Sequence, residues 1–187
     1  MRPTPHHPPG PAHEVHAEVH AEVGVLVTPL LPGSACRRAR EVVREVLRAA
    51  GVTAGEVADA EIVVSELAAN CEKHGRPPYE IRVLVVGGVP TWCEVVDGDP
   101  DLRWIPAVLS RPRVQDSPDA LAEDGRGLLL VRELSQGRCD AYLTTTHATG
   151  TPAKAVAFAL PTGDRRRRPG CADGPGAPAP SERGTVG

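Results

Sequence analysis

Ser65-Glu66-Leu67-Ala68-Ala69-Asn70-Cys71-Glu72-Lys73-His74-Gly75 closes a long amphipathic run, and its reading decides how the rest of the chain is understood. Glu66 and Asn70 stand four residues apart, which on a helix puts them on one face. A carboxylate and a carboxamide placed together can manage the proton of a water or hydroxyl and hold an oxygen-seeking cation. Towards the N-terminus, Val57, Ala60, Val63, Val64, Leu67 and Ala68 form an apolar stripe. The spacing predicts a helix over residues 54–73, stopped by Gly75 and Pro77-Pro78. A first helix is expected over 35–50, capped by Gly33-Ser34 and ended by Gly51, with Val42, Val43, Val46 and Leu47 facing inward. The β-rich stretch 23–31 ahead of it reads as a strand.

Downstream, residues 81–86 and 91–96 read as two strands joined at Gly87-Gly88. Asp97-Gly98 makes a turn, and residues 98–124 are polar, Pro-containing and weakly periodic. A loop of that length in a compact domain is usually a lid or binding loop. Gly125-Arg126-Gly127 then opens a short helix over 128–134, whose free backbone N–H groups would suit phosphate. Strands over 138–145 and 153–160, joined by a turn at Thr149-Gly150, complete the pattern. This order predicts an α+β sandwich, with helices on one face of a largely antiparallel sheet.

Composition narrows the function. A net charge of −3 over 187 residues leaves no footprint for nucleic acid. Aromatics are too scarce for single-strand stacking platforms. No run of about 18 apolar residues suggests a membrane span, and Met1–Pro11 lacks the apolar core of a secretory signal. A cytoplasmic protein is expected, with no nucleic-acid or membrane partner. Cys36, Cys71, Cys93, Cys139 and Cys171 form no CxxC pair, so reduced thiols are expected rather than a zinc site. Residues 1–13 and 162–187 are rich in Pro, Gly and charge and are expected to be disordered, leaving 14–161 as the folded domain. The Glu-Val-His-Ala repeat at 14–23 fits helix or strand equally and reads as a solvated repeat; Arg165–Arg168 reads as part of a solvated tail.

Three boxes in order, Glu66-to-His74, Asp97-Gly98-Asp99-Pro100 and Gly125-Arg126-Gly127-Leu128, resemble the histidine-kinase-like ATPase superfamily, the GHKL or Bergerat group. Within it the chain is most similar to bacterial anti-sigma-factor serine/threonine kinases and their actinobacterial ATP-binding relatives, over Val23–Leu160. The resemblance implies the Bergerat ATP-binding fold, a two-layer α/β sandwich with a mixed, mostly antiparallel sheet, and it implies ATP and Mg2+ as cofactors. By that resemblance Asn70 ligates Mg2+, Glu66 orients or deprotonates an attacking hydroxyl, and Lys73 and His74 lie near phosphate. Asp97 accepts from the exocyclic amine of adenine; a carboxylate only accepts, which favours adenine over guanine. Gly98 permits close backbone approach or a positive φ, and Gly125, Arg126, Gly127 and Leu128 form the phosphate-binding turn.

A last box, Ala153-Lys154-Ala155-Val156-Ala157-Phe158, stands where relatives have Gly-Lys-Thr-Val-Trp. Lys154 and Val156 match, but Ala155 replaces a threonine that in the family helps to hold the adenine edge, so a missing contact is expected there. The implied function is phosphorylation of a serine or threonine on an anti-sigma antagonist, combined with sequestration of a sigma factor; a homodimer is compatible with it. The alternative is a non-catalytic ATP-binding, or nucleotide-independent, interaction module in transcriptional regulation. A sensor histidine kinase would need a dimerisation hairpin bearing a phospho-accepting His, and none is visible ahead of residue 23.

Overall fold

The computed structural model describes residues 22–110 and 123–162. The expectations for 1–13, for most of the 14–23 repeat, for 111–122 of the long loop and for 163–187 lie outside the described residues. The described chain runs β1 (Val23–Leu30), α1 (Ala35–Ala49), α2 (Ala54–His74), β2 (Tyr79–Val86), β3 (Val89–Asp97), α3 (Ile105–Leu109), α4 (Glu123–Leu134), β4 (Cys139–Thr145) and β5 (Pro152–Ala159). The strands form one sheet in the order β1-β2-β3-β5-β4, and every pairing is antiparallel.

Period-two alternation divides the sheet residues between two faces. Ile81 and Val83 of β2, Cys93 and Val95 of β3, Val156 and Phe158 of β5, and Cys139 and Ala141 of β4 join one buried cluster with Val43, Leu47, Val63, Val64, Leu67 and Val131 of the helices. This is the expected α+β sandwich, and the apolar stripes of α1 and α2 are its helical half. On the other face the small residues Ala153, Ala155, Ala157 and Ala159 leave room for Trp92 and Tyr142. Polar residues share that face. Glu80, 1% exposed, accepts from the backbone N–H of His147 at 3.0 Å and of Ala148 at 2.9 Å, and from Arg82 at 2.9 Å. The β4–β5 loop is thereby tied to β2. Tyr142 donates its hydroxyl to Glu94 at 2.6 Å, and burial, then the Glu94 charge, pushes its phenol well up.

The two long helices are held by devices of different range. Thr53 and Glu56 form a reciprocal capping box at the start of α2. At the start of α1 the expected cap fails: the Ser34 side chain makes no capping bond and donates instead to Leu31 O. Glu72, on the last turn of α2, takes the role, accepting from Gly33 N at 2.6 Å and Ala35 N at 3.3 Å. Arg44 and Glu61 join α1 to α2 at 2.6 Å, and the paired guanidinium holds the Glu61 carboxyl below its usual range.

Two expectations require correction. Residues 98–124 are not loop throughout, because α3 forms at Ile105–Leu109, with Val108 and Leu109 buried. The helix after the glycines starts at Glu123 rather than Leu128, so Gly125 and Gly127 lie inside α4.

Candidate functional site

The strand end at Asp97 and the end of α2 meet closely. Gly98 N donates to Arg76 O at 2.7 Å. A Cβ on Gly98 would stand 2.8 Å from Pro77 O, and one on Gly75 would stand 2.5 Å from Asp97 Cγ. Both positions therefore exclude any larger side chain. Gly98 and Gly75 are thus both points of close backbone approach, and Gly98 is not among the positive-φ glycines.

Asp97 is 2% exposed and Lys154 is 5% exposed. They face one another in the β3–β5 register. Lys154 Nζ donates to Asp97 Oδ1 at 2.8 Å and to Asp99 O at 3.0 Å. The same Oδ1 accepts from Asp99 N at 3.0 Å and Arg76 N at 3.4 Å. Cys71, on the α2 turn above, has its thiol pushed well up by burial, then by the Asp97 charge, and it hydrogen-bonds that carboxylate. A buried carboxylate needs such partners, since an unpaired one is very costly.

Above this pair lies a cavity of about 130 Å3. Asp97 and Lys154 form its polar floor, Asn70 and His74 of α2 line one side, and Leu67, Ile105, Leu128 and Val156 supply apolar wall. The residues connecting β3 to α3 close the rest through Asp101, Arg103 and Trp104. An apolar slot with a buried acid in its floor suits a flat heterocycle carrying a donor group. Asn70, His74, Asp97 and Leu128 thus converge on one space.

Glu66 sits one turn before Asn70, against α4. A Cβ built on Gly127 would lie 2.6 Å from Glu66 Oε2 and 3.8 Å from Asn70 Nδ2. Gly127 therefore serves helix–helix approach: with α4 beginning at Glu123, its N–H is past the first four, whose N–H groups lack an intrahelical acceptor. Gly125 is buried within that first turn. Arg126 and Lys73 are exposed and do not line the cavity. Among the described residues no His, Cys, Asp and Glu cluster forms a ready metal centre.

Ala155 also changes meaning. It pairs with Val96 and packs with Ala153 on the face away from the helices. Its missing hydroxyl is therefore on the far side of the sheet from the cavity. Lys154, not residue 155, faces Asp97. The sequence had matched Lys154 without giving it a role; the strand alternation was the signal that could have shown which neighbour points inward.

The described chain is a two-layer α+β domain with a slot between its second helix and the end of its third strand. The model of the histidine kinase-like ATPase domain matches residues 29–149, and the chain belongs to that family. Among solved structures it is similar to a chain of the SiaB-SiaC complex from Pseudomonas aeruginosa, at 16% identity and a TM-score of 0.51, over 72% of this chain and 89% of that one. At that identity the likeness is one of fold. No curated protein matches. No described helix is long and apolar enough to cross a membrane.

Proposed function

We propose that the cavity binds ATP with Mg2+ and that the protein is a partner-binding regulator able to phosphorylate a serine or threonine on an antagonist protein. The observation carrying this reading is the buried Asp97 carboxylate in the floor of an apolar slot, beside Asn70. Asp97 accepts the adenine amine, Asn70 offers its amide oxygen to the cation, and the first turn of α4 faces the phosphates with its N–H groups. Bound ATP and Mg2+ supply the transferable γ-phosphoryl group and neutralise its charge. Glu66 takes the proton of the partner's hydroxyl as the new O–P bond forms and the bond to the leaving ADP breaks. Regulation through a protein partner is supported by the family fold and by the similar chain, which was solved within the SiaB-SiaC complex. By the same resemblance the antagonist is an anti-sigma antagonist and a second partner is a sigma factor.

ATP affinity with and without Mg2+, on wild type and Asn70→Ala, tests the binding half. A mass-shift assay with a co-encoded antagonist tests the transfer half. Partner binding without any transfer would select the alternative, a non-catalytic module.

A further inference from the structure

Trp104 stands out among the apolar residues lining the cavity. Leu67, Leu128 and Val156 are 1–7% exposed, whereas Trp104 is 42% exposed. An indole at the mouth of an apolar slot leaves a large flat surface in water. The backbone leading to it is fixed. Asp97 Oδ1 accepts from Asp99 N at 3.0 Å, Asp99 Oδ1 from Asp101 N at 3.2 Å, and Asp101 Oδ1 from Arg103 N at 2.9 Å. Asp101 also takes Arg103 Nε at 3.1 Å. Arg103 holds φ at +47°, a left-handed conformation that a non-glycine residue keeps only when its surroundings impose it. Three successive carboxylates thus step the chain from the polar floor to the indole.

We infer that Trp104 is the stacking wall for the base of the bound nucleotide, positioned by the Asp97–Asp99–Asp101 steps so that one side of a planar heterocycle is covered while its amine meets Asp97. This rests on the nucleotide reading above. The other tryptophan, Trp92, is 5% exposed and packs with Ala157 and Ala159 on the opposite face of the sheet. A ligand-dependent change in indole emission therefore reports Trp104.

The experiment titrates ADP, and ATP with Mg2+, into wild type, Trp104→Phe and Trp104→Leu, following heat and tryptophan emission together, with thermal melts as the folding control. The expected result is an emission change in wild type that saturates with the calorimetric Kd and is absent from both variants. Affinity falls roughly ten- to a hundredfold in Trp104→Leu, the range for loss of one base–aromatic stack, and less in Trp104→Phe. Nucleotide heat with equal Kd in wild type and Trp104→Leu would overturn the stacking role and leave the nucleotide reading standing. No heat from folded wild type with either nucleotide would overturn both.

Discussion

Asp97 and Lys154 meet across the β3–β5 pairing with Nζ 2.8 Å from Oδ1, and both side chains are buried. The proposed adenine acceptor is therefore already one half of an ion pair, with Oδ1 occupied by Lys154 and two backbone N–H groups. Lys154 keeps the carboxylate compensated when the cavity is empty.

Removing one member of such a pair leaves a buried charge without its counterpart. Lys154→Met is expected to cost about 3–5 kcal/mol of stability, and Asp97→Asn a similar amount. The double variant should cost less than the sum, because the two changes share one interaction. Urea unfolding of the four proteins measures the coupling; additive losses would mean that the two charges do not stabilise each other.

Gly127→Ala separates packing from chemistry. The added methyl would meet Glu66 Oε2, the mobile end of a side chain, at 2.6 Å. The carboxylate can swing aside, and alanine favours the helix by about 1 kcal/mol over glycine. Unfolding stability should be unchanged or raised while phosphoryl transfer falls. Gly98→Ala meets the carbonyl oxygen of Pro77 at 2.8 Å; backbone cannot yield so readily, and a loss of about 1–3 kcal/mol is expected. Thermal melts of both variants, with the transfer assay on the first, check this contrast.

Glu80 makes stability depend on pH. Burial pushes its carboxyl up, but the His147 and Ala148 N–H groups and then Arg82 outweigh that and leave it lowered. A lowered carboxyl stabilises the fold above its unfolded pKa of about 4.3 and ceases to do so as pH falls through the lower folded value. The stability gap between wild type and Glu80→Gln should be full at neutral pH and close in acid. Urea unfolding across that interval checks the sign; a gap that widens on acidification would contradict it.

Much of the fold was legible. The α1 and α2 stripes, the Gly87-Gly88 hairpin and the final strand pair follow from local periodicity, and the structure places them within a residue or two. What was not legible depends on register or distance. Glu72 caps a helix that begins 37 residues earlier in the chain, at Ala35, and no local pattern announces that. Gly125 and Gly127 read as punctuation because glycine commonly is; both lie inside α4, and at Gly127 the close approach of Glu66 on α2 is what a larger residue would meet. The inward direction of Lys154 and the outward direction of Ala155 became definite only once Asp97 was aligned with residue 154. Trp104 lay in a segment read as loop, where no period marks a side chain as lining a cavity.

Glu66→Ala divides kinase from interaction module. Glu66 lies against Gly127 rather than among the cavity-lining residues, so its loss should leave ATP affinity within about threefold and abolish transfer. Asn70→Ala, which alters the cavity wall, should weaken Mg2+-dependent binding as well. Calorimetry paired with the mass-shift assay reads both effects; transfer surviving in Glu66→Ala would remove that residue from the reaction.

The slot over Asp97 is proposed to take an adenine nucleotide. Isothermal titration of Mg2+-ATP and Mg2+-GTP into wild type and Asp97→Asn measures this, at a temperature where melts show both proteins folded. Wild type should bind ATP and prefer it to GTP, and Asp97→Asn should lose about 1–3 kcal/mol of that binding through the disturbed charged hydrogen bond. Absence of ATP binding, or equal ATP affinity in the two proteins, would contradict the proposal.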